Sequence, residues 1–443
     1  MIEPLYSFQA DAITKIEVGH PVYLGFDPGL GKSRTALEAA HRRGAKRILV
    51  ACHASGRYVW EGETKKWSPY LATVVKGPAD LKGDGVKILT YGLISQKLSP
   101  YIEAVLRGQA FDLSVIDEAH ALKNPGANRT KAILGRMWPK LGTVIPLSGT
   151  PAPNHAGELY PILKALYPRA IAGANGRDLA QWQFEDRYCR VVMKRFGTSP
   201  YPVRTIEGSQ NLAELRHRLD GFMLRVRKEE VLKDLPPIRY DLVPIGVDTY
   251  AAAALPKLPI TSDDDLLDYL SGRYGDEHVM RIRRMLGLLK VGPSIEYLDD
   301  FMRGLPAHRK ILVFGHHREV IDRLMSGLAD WSPVKIDGGS SPSERTVAIN
   351  TFLTNHRCRM FIGNIAAAGT GITLVGPMCA CADVFFVEAS YSVGDNVQAA
   401  ARVHRIGQHD GVVARFFTAH ETLDDRIQSI LARKARDFKA LFD

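Results

Sequence analysis

A chain of 443 residues has room for about three domains of roughly 150 residues, or for two large ones with insertions. Hydrophobic content of 45% and charged content of 24% exclude a disordered or collagen-like chain. The net charge of +10 favours a polyanionic partner, and residues 187–239 alone hold twelve basic against six acidic side chains, which marks that segment as a candidate contact surface.

The start, Met1 to Pro4, lacks the basic and then apolar pattern of a secretory signal. Over the first 150 residues, apolar runs at Val22–Phe26, Ile48–Ala51, Ala72–Val75, Val86–Leu89, Leu113–Ile116 and Thr143–Leu147 alternate with helical stretches such as Lys32–Arg43 and Asn128–Trp138. That alternation predicts an α/β unit with a parallel sheet flanked by helices. Residues 155–235 and 245–305 read as helical insertions, with Pro236-Pro237 as a break and Asp263-Asp264-Asp265 as a helix cap. After residue 305 the α/β grammar returns. Strands are expected at Ile311–Phe314, Arg359–Ile362, Val384–Val387 and Val412–Phe417, and helices at Arg318–Leu328, Ser343–Phe352, Val397–Val403 and Leu423–Ala432.

The chain therefore reads as two tandem lobes, 1–240 and 241–443. Ile365 to Val387 carries Asp383 as its one charge, but its glycines and proline suit loop and buried strand better than a membrane span. No membrane partner is expected. Five cysteines without CxxC spacing point to a reducing, cytoplasmic setting.

Three motifs carry chemistry. Gly29-Leu30-Gly31-Lys32-Ser33 lies between an apolar run and a helical pattern, so its backbone amides can cradle phosphates. Lys32 is placed to reach the β- and γ-phosphates of ATP and Ser33 to hold Mg2+. The first glycine of the motif is replaced by Phe26. Next, Leu113–Ile116 delivers Asp117-Glu118-Ala119-His120, two adjacent carboxylates at a strand end. Asp117 suits Mg2+ and Glu118 the attacking water. Third, Arg402 and Arg405 lie three apart in Gln398 to Gln408, on one face of the expected helix, as candidate arginine fingers. His316-His317 lacks further ligands at metal spacing. Trp182, Phe184, Tyr188 and Phe196 suit packing of the insertion more than stacking on bases.

The order of these motifs, with Ser148-Gly149-Thr150-Pro151 between them, resembles the superfamily two helicase-like motors and, within them, the Swi/Snf (Snf-two) family. Further similar stretches are Leu5 to Gln9, Asp117 to Asn124, and Phe222 to Arg225 with Leu235-Pro236-Pro237. Phe184 to Cys189, Asn211-Leu212 to Leu215, Gly287 to Lys290 and Phe314 to His317 are similar to the annealing-helicase, or HARP-like, branch.

The resemblance implies two RecA-like lobes with ATP between them and tracking along double-stranded DNA, forked or branched DNA included. Gln9 would read adenine, and Lys32, Ser33, Asp117 and Glu118 would act from the first lobe, with Arg402 and Arg405 completing the site from the second. Ser148, Gly149 and Thr150, with His120 and Gln398, would couple nucleotide state to DNA grip. Gly369, Thr370 and Gly371 match a motif touching DNA and nucleotide, Gly371 being the nucleotide contact. Thr90, Tyr91, Lys123 and Asn124 are weaker DNA-contact candidates.

Three departures stand out. Tyr391-Ser392-Val393 replaces the family's Trp-Asn-Pro, Val226 replaces the second of two arginines, and an expected proline is missing near His53. The motor pattern fills the chain, so a monomeric motor without accessory domains, or one that borrows a partner subunit, is expected. Two other activities stay open: strand annealing or branch migration at forks, and an ATP-gated DNA-binding scaffold with little turnover.

Overall fold

The computed structural model describes residues 4–96, 98–195, 201–255, 277–368, 372–376, 379–405, 407–420, 422–424 and 427. The chain forms two compact units, Met1–Val231 and Leu232–Ala435. Both are α/β lobes, each with a parallel sheet and helices.

In the first unit the strands are β1 (Tyr23–Phe26), β2 (Arg47–Cys52), β3 (Ala72–Val74), β4 (Gly85–Thr90), β5 (Leu113–Ile116) and β6 (Thr143–Pro146), each at an expected apolar run. The main sheet runs β3-β4-β2-β5-β6 with every pairing parallel. Every residue of β2, β4 and β5 is buried. Strands covered on both faces read as continuous apolar runs, which is why periodicity found them. A parallel bridge from Leu24 to Leu147 sets β1 beside the end of β6.

The insertion at 155–235 is less helical than expected. It holds an antiparallel pair, β7 (Cys189–Lys194) and β8 (Val203–Ser209), and then β9 (Met223–Val226), which pairs in parallel with β1. Val191, Val192, Val203, Thr205 and Ile206 are β-branched and suit a pleated, half-buried ribbon better than a helix. The basic excess there is also largely neutralised. Arg187 and Arg218 pair with Glu214, Lys194 with Glu207, Arg204 with Glu185 and Asp186, Arg225 with Asp27, Arg227 with Glu229 and Glu230, and Arg239 with Asp241. Seven of the twelve cations thus have carboxylate partners, several of them outside the segment.

The second unit contains β10 (Ile238–Pro244), β11 (Arg309–Gly315), β12 (Val334–Ile336), β13 (Met360–Asn364), β14 (Ala380–Phe386) and β15 (Val412–Thr418). They form one parallel sheet in the order β10-β15-β14-β11-β13-β12. Strand β10 runs in register with β15 from Ile238 opposite Val412 to Pro244 opposite Thr418, so the chain enters this sheet just before residue 240. A helix at Pro342–Thr354 starts on a capping box in which Ser341 Oγ accepts from Glu344 N and Ser341 N donates to Glu344 Oε2. Within the weakly charged run 365–387 the described residues include the short helix Ile365–Ala368 and β14, and among the described residues no helix is long and apolar enough to cross a membrane. All five cysteines are buried and unlinked. The Asp263 to Asp265 cap and most of the Leu423–Ala432 helix lie outside the described residues.

Candidate active site

The chain leaves β1 at Phe26 and turns through Gly29, at φ 92°, to Gly31, which caps the helix Lys32–Arg42 at φ 75°. A side chain at Gly31 would be strained by that backbone, and its Cβ would lie 2.4 Å from Gln9 Nε2. Gln9 itself is fastened to this loop. Its Nε2 donates to Leu30 O at 3.2 Å and its Oε1 accepts from Tyr6 N at 3.1 Å. Lys32 Nζ donates to Phe26 O at 2.9 Å and Asp27 O at 3.4 Å, so the ammonium sits inside its own loop. Burial lowers its pKa, opposed by the charges of Glu118, Asp117 and Asp27. Ser33 follows in the first turn of the helix.

Strand β5 ends at the same edge of the sheet, since β1, β5 and β6 run parallel. Asp117 leaves that strand with Oδ2 accepting from Trp60 Nε1 at 2.8 Å and its carbonyl accepting from the Tyr91 hydroxyl at 2.6 Å. Burial, and after it the charge of Glu118, pushes the Asp117 carboxyl up to about 6. Glu118 is held in the left-handed region at φ 47°, which turns its carboxylate toward the segment after β6. There Ser148 Oγ donates to Glu118 Oε2 at 3.3 Å, accepts from Thr150 N at 3.0 Å and lies 2.9 Å from His120 Nδ1. Gly149 passes so close to the phosphate loop that a Cβ there would meet Pro28 Cδ at 2.9 Å.

The described residues expected to touch DNA, Thr90, Tyr91, Lys123 and Asn124, also make contacts within the lobe. Thr90 is buried at the start of the helix Tyr91–Ile94, and Tyr91 braces Asp117. Lys123 Nζ pairs with buried Glu158 at 2.8 Å, and Asn124 Oδ1 accepts from Gly126 N in a turn. Gly369, Thr370 and Gly371 lie outside the described residues.

In the second unit, Gln398 is buried in a helix that spans Val393–Ala400 and ends before the two arginines. The shared helix face expected for Arg402 and Arg405 is therefore corrected to a turn. The ladder lapses there: Arg402 N donates to Ala399 O, and Arg405 N donates to Val403 O and not to Ala401 O, while Arg402 O accepts from Leu374 N at 3.0 Å. Arg402 Nη1 donates to Ile372 O at 2.9 Å, and the Arg405 side chain donates to Ala401 O at 2.8 Å and Thr373 Oγ1 at 2.5 Å. His317 Nδ1 lies 2.6 Å from Glu388 Oε1, and among the described residues no group of three or more His, Cys, Asp or Glu is placed to hold a metal. Phe184 and Tyr188 are core residues, while Trp182 is exposed.

Two features of the first unit were not read from the sequence. Trp60, buried in the helix Arg57–Trp67, reaches Asp117 from 57 residues away. A buried indole needs a partner for its N–H, and that chemistry was the one available signal. Arg225 pairs with Asp27 at 2.7 Å and donates to Gly25 O at 2.7 Å and Gly149 O at 3.4 Å, binding β9 to the phosphate loop.

The donor set fits a magnesium nucleotide. Asp117 and Glu118 are adjacent carboxylates, and burial followed by the charge of Glu118 disfavours the charged form of Asp117, which a bound cation would favour. Mg2+ takes one or two protein ligands and completes its shell from phosphates and water. Asp117 and Ser33 would supply those ligands.

A model of the SNF2-related domain matches residues 24–285, and one of the helicase conserved C-terminal domain matches residues 294–407. The chain is 29% identical over 426 residues to the human DNA annealing helicase and endonuclease ZRANB3, covering 92% of this chain and 37% of that protein. It is 26% identical over 441 residues to the Caenorhabditis elegans homolog of SWI/SNF-related matrix-associated actin-dependent regulator of chromatin subfamily A-like protein 1, covering 98% of this chain and 61% of that one. The chain thus spans less than two thirds of either relative. The Sulfolobus solfataricus SWI2/SNF2 ATPase core in complex with dsDNA aligns over 99% of this chain and 93% of that one, with a TM-score of 0.44 and 21% identity.

Proposed function

We propose, since this chain belongs to the family of the SNF2-related domain, that it hydrolyses ATP and couples hydrolysis to movement along double-stranded DNA. The observation that carries the reading is one sheet edge holding Lys32, Asp117, Glu118 and Ser148, with Ser148 hydrogen-bonded to Glu118. Lys32 would exchange the carbonyls of Phe26 and Asp27 for phosphate oxygens. Magnesium, when bound, neutralises charge on the phosphates. Glu118 orients the attacking water, and Ser148 and His120 hold the Glu118 carboxylate. Arg402 and Arg405 are assigned to the charge that develops on the transferred phosphoryl group. The net charge of +10 supports a polyanionic track.

Steady-state ATP hydrolysis with no nucleic acid, single strands, duplex, forked DNA and RNA tests this. Stimulation by plain duplex is expected, with Lys32→Ala and Glu118→Gln each losing at least about a hundredfold in turnover. Wild-type turnover in either variant overturns the site. A near-zero rate with every polymer leaves an ATP-gated scaffold instead.

The likeness to an annealing helicase favours a second reading, remodelling of forks or branches. Stimulation confined to forked DNA, with fork regression by the purified protein, would select it.

A further inference from the structure

We propose that Trp60 is a positioning residue for the magnesium carboxylate and that its indole senses occupancy of the metal site. Trp60 is 2% exposed, and its Nε1 donates to Asp117 Oδ2 at 2.8 Å. The Tyr91 hydroxyl holds the Asp117 carbonyl at 2.6 Å, so backbone and carboxylate are fixed from two separate elements. The turn before the helix passes beside this carboxylate without crowding it, since even a Cβ at Gly56 would lie 3.6 Å from the same Oδ2.

The choice of side chain is chemically specific. An indole N–H donates one hydrogen bond, accepts none and carries no charge. It orients one carboxylate oxygen and leaves the other open, and unlike histidine or aspartate it cannot take the metal itself. The helix Arg57–Trp67 packs on the helix Lys32–Arg42, which carries Lys32 and Ser33 at its start. Trp60 thereby ties the two sources of metal ligands to one scaffold. Partners of this kind outside the ligand set typically change metal affinity by about 10–100-fold when removed.

The inference rests on Asp117 being the magnesium carboxylate, and the test separates the two. ADP binding to the full chain is titrated calorimetrically in Mg2+ and in EDTA, for wild type and Trp60→Phe, which keeps a buried ring and removes the donor. Wild type should bind more tightly in Mg2+, and Trp60→Phe should need on the order of tenfold more Mg2+ for the same gain, with its EDTA affinity unchanged. In protein labelled with 5-fluorotryptophan, the Trp60 fluorine resonance should move on adding Mg2+ to the ADP complex. That resonance is assigned by elimination with Phe substitutions at the other tryptophans, so it does not depend on Trp60→Phe folding. An unmoved resonance, or a Trp60→Phe protein within twofold of wild type in its Mg2+ requirement, overturns the role of Trp60. No magnesium effect in wild type overturns the assignment of Asp117 instead.

Discussion

Ser148 donates its hydroxyl proton to Glu118 across 3.3 Å, joining the segment after β6 to the carboxylate assigned to the attacking water. The same oxygen accepts from Thr150 N and lies against His120, so its orientation is determined by three neighbours. Ser148→Ala removes the donor without adding bulk. The expected result is ADP affinity within twofold of wild type and a fall of about tenfold in DNA-stimulated turnover, read from steady-state kinetics beside equilibrium binding. An equal loss in both would place Ser148 in nucleotide binding.

Arg225 lies 198 positions after Asp27 in the chain, yet its guanidinium closes the phosphate loop through Asp27 and the carbonyls of Gly25 and Gly149. Arg225→Ala leaves a mostly buried carboxylate and carbonyls without that donor. A loss of about 2–3 kcal/mol in the first unit is expected by chemical denaturation, together with weaker ATP binding. Arg225→Lys should recover part of the stability, since one ammonium cannot replace a fork of donors.

How far these relationships were legible depends on the distance over which they are encoded. Strands β2 and β5 were readable because both faces are covered and their apolar runs are continuous. The phosphate loop and Asp117-Glu118 were readable because their chemistry sits in a few consecutive residues. The bond from Trp60 to Asp117 joins two elements that touch only after folding. Charge counting over 187–239 suggested a contact surface because the carboxylates that answer Arg204 and Arg225 lie at Glu185, Asp186 and Asp27, outside the window. The end of the helix before Arg402 is likewise invisible locally, because Arg402 O and the Arg405 side chain bond to Leu374 N and Thr373 Oγ1, about 30 residues away in the chain.

His316 gives the second unit an acid limb. Burial, followed by the charges of Arg283 and His317, holds the imidazole down at about 4, while Glu388 pulls the other way. Below pH 6.5 the unfolded chain takes up a proton that the folded one refuses until about pH 4. Stability is therefore full above pH 6.5, falls as the pH drops toward 4, and levels off below. His316→Asn should flatten this limb, making the variant more stable than wild type by roughly 1–2 kcal/mol at pH 4 relative to their difference at pH 8. Denaturant titrations across that range, followed on the second unit, decide it. An unchanged acid limb would assign the loss to other groups.

Gly31 tests whether Gln9 and the phosphate loop act as one body. Its φ of 75° disfavours any side chain, and a Cβ would press on Gln9 Nε2 at 2.4 Å. Gly31→Ala should therefore displace Gln9 from Leu30 and widen the loop at once. Gln9→Ala removes the same bond but leaves the Gly31 backbone relaxed. If Gln9 reads adenine, both variants should lose preference for ATP over GTP, and only Gly31→Ala should also lose affinity for inorganic triphosphate, which has no base to read. Competition binding with ATP, GTP and triphosphate separates the contributions. Unchanged base preference in Gln9→Ala would leave that side chain as a brace for the loop, which its bonds to Tyr6 and Leu30 already make it.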